Sequence, residues 1–327
     1  MFLKRKIKLL LIAVSMFLIS SVSLATNPTG KLIGGGFILL NDVCYTRANY
    51  EPENVQVYNT ILEVLKGRFP NSRVFAVPVP MSQLLIEDIP NFNISLVNQN
   101  EILNNMQANI GDKVKVVNAC TKLLEHRNEY IYFKTDPHWT QRGAYYAYAA
   151  FCEGLNQETL PLTSYTEALL NSSYKGVAYS TTQNEKIKDK RDELYAYVSN
   201  IPNNVKVYNN NNKLIKETVV VDPTKVTYAG AFISGDNPFT VIHADNNKNK
   251  SALVIKDSYG CAFIPFMIQD YSDIFVVDPR YSEFNVITKL KDFNIDDVFL
   301  ITGIYQASDV SFMTKIAKLI EDPALVK

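Results

Sequence analysis

One histidine stands beside a carboxylate in a setting that permits catalysis. His138 lies in the segment Thr135-Asp136-Pro137-His138-Trp139-Thr140. Because Pro137 fixes its own φ and favours an extended Asp136, the carboxylate can accept the imidazole Nδ1–H and leave Nε2 facing a nucleophile. In the alternative, Asp136 only caps a helix and His138 packs. The other two histidines lie in a charged stretch and in an alternating strand, and we expect both to be structural: His126 and His243.

A candidate nucleophile follows an apolar strand late in the chain. Residues 252–256 predict a buried strand, and Asp257-Ser258-Tyr259-Gly260 then leads into an apolar helix. The carboxyl end of a parallel strand beside a helix N-terminus is where α/β proteins place reactive groups, and N–H groups there can stabilise an oxyanion. A serine that only caps the helix is the alternative. Three residues near predicted strand ends remain open as oxyanion donors: Asn41, Gly260 and Gly303.

Strand and helix patterns alternate along the chain, which predicts an α/β domain with a mainly parallel sheet. The predicted strands are 37–40, 73–79, 113–118, 252–256, 274–278 and 298–302, and the predicted helices are 55–69, 96–110, 140–156, 261–270 and 312–321. Residues from about 170 to 250 contain asparagine-rich tracts and strand-like pieces such as 219–222. We expect an irregular β-rich insertion there, covering one side of the carboxyl edge of the sheet.

The N-terminal residues have the pattern of an export signal. Residues 1–8 are cationic, residues 9–24 are apolar apart from serines, and Ser23-Leu24-Ala25 places small residues at a cleavage site. An uncleaved membrane anchor is the alternative. We therefore expect an extracytoplasmic domain at 26–327. Its 29 basic and 33 acidic side chains give a net charge of −4, which does not favour nucleic-acid binding.

Four cysteines occur in this chain: Cys44, Cys120, Cys152 and Cys261. Their spacing contains no CxxC pair or His-Cys cluster of the kind that binds metal. Buried free thiols and disulfides both remain open, because a core of this size does not need cross-links.

The two motifs together resemble a known family. Residues 135–145, 255–260 and 276–281, in this order, are similar to the SGNH-hydrolase-like family of alginate O-acetylation proteins and their Gram-positive relatives named for a DHHW motif. The resemblance implies an SGNH-hydrolase-like three-layer fold around a central, mainly parallel sheet. It also implies a reordered, circularly permuted triad, in which the Asp-His pair precedes the serine.

Residue by residue, the resemblance makes Ser258 the nucleophile, His138 the general base and acid, and Asp136 the group that orients the imidazole. Pro137 stands where the Gram-positive relatives have a first histidine, which leaves His138 as the base. Four further residues are possible substrate contacts, with core packing or a surface ion pair as the alternatives: Trp139, Tyr259, Arg280 and Tyr281.

The implied activity is an exported O-acetyltransferase that modifies a cell-surface or secreted polysaccharide through an acetyl-serine, without metal or cofactor. The resemblance also implies that acetyl groups arrive through a membrane-bound O-acyltransferase. An acetyl-esterase with the same triad and a non-catalytic polysaccharide-binding or assembly protein are the alternatives.

Overall fold

The computed structural model describes residues 30–87 and 94–321. The predicted leader, residues 1–25, lies outside them. The strands are β1 Lys31–Leu32, β2 Phe37–Leu40, β3 Val43–Thr46, β4 Arg73–Val79, β5 Lys115–Val116, β6 Thr166–Tyr174, β7 Asp192–Val198, β8 Asn203–Tyr208, β9 Leu214–Thr218, β10 Phe239–Ala244, β11 Ser251–Lys256, β12 Asp273–Val277 and β13 Asp297–Gly303. The helices are α1 Val55–Arg68, α2 Gln99–Ile110, α3 Cys120–Glu125, α4 Gln141–Glu153, α5 Ala178–Thr182, α6 Tyr228–Ala231, α7 Gly260–Met267, α8 Val286–Lys289 and α9 Val310–Ile320.

A large mixed sheet forms the centre of the fold. Its strands lie in the order β5-β4-β13-β11-β12-β10-β8-β9. The five strands from β5 to β12 are parallel, whereas β10, β8 and β9 extend the sheet in antiparallel pairs. This confirms the predicted α/β class with a mainly parallel sheet. Because β11 lies between β13 and β12, the carboxyl end of β11 is in the middle of the sheet.

The strand that leads to Ser258 is buried from Ala252 to Lys256. Burial on both faces explains its continuous apolar sequence, which is typical of a parallel strand covered by helices. The helices pack in two groups, with α4 against α7 and α1 against α9. Phe151 of α4 contacts the rings of Phe75 on β4 and Phe299 on β13 edge-on, with ring centroids 5.1 and 5.2 Å apart.

Residues 166–244 contribute to the fold in two ways. Strands β8, β9 and β10 lengthen the central sheet, whereas β6 and β7 pair only with each other, in a separate antiparallel sheet. The expectation of a strand at 219–222 is wrong: the strand β9 ends at Thr218, and Val221 makes only an isolated bridge to Phe232.

A buried ion network closes the amino end of the sheet. Asp297, the fully buried first residue of β13, accepts hydrogen bonds from Arg73 Nε and Nη2, both at 2.7 Å. Lys250 Nζ lies 2.8 Å from the same carboxylate, and the Tyr271 hydroxyl donates to it at 2.6 Å. The network therefore links β4, β11 and β13 where these strands begin.

Within residues 30–87 and 94–321, no helix combines the length and the apolar character needed to cross a membrane.

Candidate active site

The segment that carries Asp136 and His138 is a tight loop held at both ends. Tyr132 and Trp139 form an antiparallel bridge, and the loop then leads into α4. The side chain of Thr140 caps α4 by accepting a hydrogen bond from the Gly143 N–H, as its position before the helix predicts.

A buried carboxylate on β7 fixes the backbone of this loop. Asp192 accepts hydrogen bonds from the backbone N–H of Lys134 at 2.9 Å, the N–H of Thr135 at 2.8 Å and the Thr135 hydroxyl at 2.5 Å. Gly176 approaches so closely that a Cβ on it would lie 2.6 Å from Asp136 Cβ. The position of Asp136 thus depends on residues 40 to 56 positions further along the chain.

Asp136 and His138 are joined by a short hydrogen bond. Asp136 Oδ1 lies 2.6 Å from His138 Nδ1, and the second oxygen, Oδ2, accepts from the Tyr174 hydroxyl at 3.1 Å and the Val177 N–H at 3.3 Å. Burial acts to raise the pKa of Asp136, but the hydrogen bonds from His138 and Tyr174 outweigh it and hold the pKa below its ordinary value. The carboxylate is therefore ionised at neutral pH.

The other ring nitrogen meets the serine. Ser258 Oγ lies 2.8 Å from His138 Nε2, across 120 residues of sequence. The serine does not cap the helix that follows: Tyr259 occupies the N-cap of α7, without a side-chain capping bond. The structure thus brings Asp136, His138 and Ser258 into one hydrogen-bonded chain at the carboxyl end of β11.

Asp257 lies behind the serine and is fully buried. Its carboxylate accepts from the Tyr259 N–H at 3.0 Å and the Gly303 N–H at 2.8 Å, and these bonds fix the turn. Burial raises the pKa of Asp257 to about 6, although the two N–H bonds act in the opposite direction.

Two tyrosines enclose the imidazole. The ring of Tyr228, on α6, stacks on His138 with centroids 4.4 Å apart and planes 19° apart, and its hydroxyl donates to Ser258 O at 3.3 Å. The ring of Tyr259 lies 4.8 Å from the imidazole, and its hydroxyl donates to the Pro137 carbonyl at 2.8 Å. Only 16% of the His138 side chain is exposed, so these contacts restrict its orientation.

His138 and Ser258 line a cavity of about 320 Å³. Among the lining residues that the motifs did not indicate are Gly36, Arg47, Asn49 and Tyr305. Their sequence positions lie outside both motifs, and three of them belong to the region around the β2–β3 hairpin. The glycine triplet before β2, Gly34-Gly35-Gly36, is a local sequence signal that could have indicated this region.

Three of the four predicted substrate contacts do not line this cavity. Tyr259 lines the cavity, although it is only 2% exposed. Trp139 is fully buried and donates from Nε1 to the Tyr259 carbonyl at 3.0 Å, so it supports the turn at Ser258. Arg280 and Tyr281 do not line the cavity, because Arg280 turns back to the carboxylates of Asp278 and Asp236. The ring of Tyr281 lies under the Arg280 guanidinium on the surface.

Arg280 belongs to a buried charged cluster next to the site. Lys256 Nζ contacts Asp236 Oδ1 at 2.6 Å, Cys261 Sγ at 3.2 Å and Asp278 Oδ2 at 3.4 Å. Burial acts to lower the pKa of Lys256, but its neighbours Cys261, Asp236 and Asp278 outweigh it and hold the pKa above its ordinary value. The cluster ties the loop at Asp236 to the ends of β11 and β12.

The three candidates for oxyanion donors do not present free N–H groups to the cavity. Gly260 N–H donates to Asp257 O, and Gly303 N–H donates to Asp257 Oδ2. Asn41 lies in the turn between β2 and β3 and does not line the cavity. In the part of the chain that the structure describes, the Ser258 N–H donates to no acceptor, so it is available to an oxyanion.

Among the described residues, the other two histidines and the four cysteine thiols form no hydrogen bond with the triad side chains. His126 stacks on Tyr146 and pairs with Glu129, and His243 pairs with Asp273 on the surface. All four cysteines are buried free thiols, and burial raises the pKa of Cys120, Cys152 and Cys261 to about 12. Among residues 30–87 and 94–321, no group of three or more His, Cys, Asp or Glu side chains could hold a metal ion.

The fold and the site together define a class of α/β protein in which serine, histidine and aspartate form one chain at the carboxyl edge of a parallel sheet. The family model described as DHHW protein matches residues 21–277, and the chain therefore belongs to the DHHW family. This confirms the family resemblance of the two motifs. No curated protein sequence matches the chain.

Two solved structures share the fold over most of their length, and a third is more distantly similar. A DHHW family protein from Eubacterium siraeum is 25% identical, with a TM-score of 0.79, covering 90% of this chain and 100% of that one. Bacillus cereus PatB1 with a sulfonyl adduct is 18% identical, with a TM-score of 0.65 and coverages of 87% and 98%. The O-acetyltransferase domain of Pseudomonas putida AlgJ is 13% identical, with a TM-score of 0.48 and coverages of 88% and 98%.

Proposed function

We propose that this chain is an exported serine-dependent O-acetyltransferase that acts on a cell-surface or secreted polysaccharide. One observation carries the proposal: Ser258 Oγ, His138 and Asp136 are joined by hydrogen bonds of 2.8 and 2.6 Å beside an open cavity. This arrangement supports nucleophilic catalysis, because a base touches the nucleophile and a third group orients the base.

In the first step, His138 Nε2 takes the proton of Ser258 as Oγ attacks the carbonyl carbon of an acetyl ester. A new Oγ–C bond forms, and the carbonyl electrons move to the oxygen, where the Ser258 N–H can stabilise the negative charge. The tetrahedral intermediate then collapses, the bond to the leaving oxygen breaks, and His138 returns the proton to that oxygen. The product is acetyl-Ser258.

In the second step, a sugar hydroxyl gives its proton to His138 and attacks the acetyl carbon. The bond to Ser258 Oγ breaks, the serine recovers its proton from His138, and the acetylated sugar leaves. Asp136 remains ionised throughout and favours the imidazolium that forms in both steps. If water replaces the sugar, the same steps describe an acetyl-esterase.

Further parts of the proposal rest on the N-terminal sequence pattern and on the family resemblance. They are export by residues 1–25, an acetyl supply through a membrane-bound O-acyltransferase, and a single domain from 26 to 327 of the SGNH-hydrolase-like three-layer type with a permuted triad order. The acetyl-esterase and the non-catalytic polysaccharide-binding protein are the competing functions.

The first test separates an enzyme from a binding protein. We expect the wild type to hydrolyse 4-nitrophenyl acetate, and Ser258→Ala to lower kcat/KM by at least about 10³-fold. Ser311→Ala, on the exposed first turn of α9, is the matched control and should leave kcat/KM unchanged. Equal rates for wild type and Ser258→Ala would refute the serine mechanism and leave the binding function.

The second test separates a transferase from an esterase. Oligosaccharides are added during turnover, and mass spectrometry follows the acetylated sugar and the acetyl-enzyme. A transferase forms acetylated sugar, and the acetyl group maps to Ser258 in the trapped intermediate. Hydrolysis without any acetylated sugar would favour the esterase.

A further inference from the structure

A tyrosine of β6 contacts the triad acid from outside both motifs. Tyr174, the last residue of β6, donates its hydroxyl hydrogen to Asp136 Oδ2 at 3.1 Å, across 38 positions of the sequence. The Val177 N–H is the second donor to this oxygen, at 3.3 Å. In the part of the chain that the structure describes, Tyr174 is therefore the one side chain that binds the carboxylate oxygen not taken by the imidazole of His138.

The packing of Tyr174 fixes the direction of its hydroxyl. The residue is 8% exposed, and its ring lies against Phe133, with ring centroids 5.2 Å apart. Its backbone pairs with Asp192 of β7, the carboxylate that binds the loop at Thr135. Burial and the charge of Asp136 raise the pKa of Tyr174, so the hydroxyl stays protonated and acts as the donor.

A donor on Oδ2 changes how Asp136 acts on the imidazole. The two oxygens of a carboxylate share one negative charge, so a hydrogen bond to Oδ2 leaves less charge on Oδ1 for the Nδ1–H of His138. Without that bond, the carboxylate attracts the imidazole proton more strongly, and His138 keeps its proton to higher pH. Because a base must be free of this proton before it can accept one from Ser258, the donor on Oδ2 extends the pH range in which His138 can act.

We propose that Tyr174 is a positioning residue of the acyl-transfer reaction, whose hydroxyl holds Asp136 in line with the imidazole and limits how strongly the carboxylate retains the proton on His138. Tyr174 does not line the cavity beside Ser258, so it acts through Asp136 and not on the substrate. This inference rests on the proposed function, because it assigns a further residue to the same reaction.

The first test follows the protonation of His138 directly. Tyr174→Phe keeps the buried ring and removes one hydroxyl. Histidine Cε1–H signals are recorded by NMR against pH, and the signal lost in His138→Gln is assigned to that residue among the three histidines. We expect the midpoint of the His138 titration to move to higher pH by about half a unit or more. A midpoint that stays in place, or moves to lower pH, overturns the proposal.

Tyr165→Phe is the matched control. Tyr165 directly precedes β6 and is 8% exposed, as Tyr174 is, but within the described residues its buried hydroxyl has no hydrogen-bond partner. The same substitution there removes a hydroxyl without removing a bond to Asp136, so the midpoint of the His138 titration should not change. An equal shift in both variants would show a general effect of packing and would also overturn the proposal.

Other titratable or charged groups face the Asp136–His138 pair and are the same in all of these proteins. They are Tyr228 on α6, Tyr259 next to Ser258, Asp192 on β7 and Arg47 at the cavity. Asp257, with a pKa raised by burial to about 6, binds backbone N–H groups and should titrate alike in each protein. The difference between Tyr174→Phe and Tyr165→Phe therefore reports on the Tyr174 hydroxyl.

The second test measures turnover. For 4-nitrophenyl acetate, we expect the acidic limb of the kcat/KM profile to move to higher pH in Tyr174→Phe, by the same amount as the NMR midpoint. On the plateau, kcat should fall about three- to tenfold with little change in KM, because the hydroxyl touches Asp136 and not the substrate. A change in KM with kcat intact would contradict the positioning role.

The two tests also distinguish this inference from the proposed function. If wild-type protein does not hydrolyse 4-nitrophenyl acetate but the NMR midpoint moves in Tyr174→Phe, the acyl-transfer function fails and the action of Tyr174 on Asp136 stands. If hydrolysis depends on Ser258 but the midpoint does not move, the function stands and the role of Tyr174 fails.

Discussion

The two ends of the central sheet both bury carboxylates, but they use them differently. At the amino end, Asp297 is enclosed by Arg73, Lys250 and Tyr271, which fill its hydrogen-bonding capacity. At the carboxyl end, Asp136 binds a histidine whose other nitrogen reaches a serine at the edge of a cavity.

The pKa values of the buried acids show the same contrast. Burial acts to raise the pKa of Asp297, but Arg73 and Lys250 outweigh it and hold the pKa below its ordinary value. Asp257, which binds backbone N–H groups and no cation, has its pKa raised to about 6. A buried carboxylate therefore does not by itself indicate a reactive site. The reactive site is indicated by a series of hydrogen-bonded side chains that ends at an open cavity.

The largest expected effect follows from removing the charge at the carboxyl end. Asp136→Asn keeps the shape of the side chain but no longer favours the imidazolium, so we expect kcat/KM for 4-nitrophenyl acetate to fall by about 10³- to 10⁴-fold. The exposed Asp245→Asn is the matched control. A decrease smaller than about tenfold would contradict the orienting role of Asp136.

The corresponding change at the amino end should affect stability and leave catalysis intact. Asp297→Asn breaks the hydrogen-bonded ion network and should lower the free energy of unfolding, measured in urea, by about 3 kcal/mol. Activity per folded molecule should remain that of the wild type. A specific loss of kcat would show that the two ends are coupled.

The pH dependence of stability should distinguish the buried acids. The pKa of Asp257 in the folded protein is about 6, above the ordinary 3.8. Its contribution to the free energy of unfolding is therefore full below pH 4 and is lost as the pH rises through 6. The loss should amount to about 2–3 kcal/mol. Asp297 has a lowered pKa, so it stabilises the folded protein above pH 4, and this stabilisation is lost on acidification.

Asp257→Asn should therefore flatten the pH profile of unfolding between pH 4 and 6.5, whereas Asp297→Asn should flatten it at lower pH. The slope of the free energy of unfolding against pH is the quantity to compare. Its absolute value changes as well, because asparagine offers only one acceptor oxygen to the two N–H donors at position 257. An unchanged slope between pH 4 and 6.5 in Asp257→Asn would contradict the raised pKa.

The smallest expected effect concerns the ring that covers His138. Tyr228→Phe keeps the stack and loses a 3.3 Å hydrogen bond, so kcat should fall by less than about threefold. Tyr228→Leu removes the stack and should lower kcat by about tenfold with little change in KM. Equal effects of the two variants would show that the hydroxyl, and not the ring, positions the imidazole.

Local sequence patterns determined much of the secondary structure and the identity of the candidate residues. Apolar periodicity predicts α1, β4, α4, β11 and β13 within a few residues, because each pattern reflects burial on one or both faces of the element. The order of strands and helices then predicts the α/β class. Asp136, His138 and Ser258 stand out because their neighbours, Pro137 and the turn after β11, restrict the backbone.

The tertiary structure decided the contacts that join distant segments. Three contacts of the site connect residues more than 50 positions apart. Ser258 lies 2.8 Å from His138, Asp192 binds the loop at Thr135, and the Tyr228 ring stacks on His138. The tertiary structure also decided that Trp139 is buried, that Arg280 turns towards Asp278 and that Arg47 reaches the cavity. Such outcomes depend on how whole elements pack, and local periodicity carries no information about that.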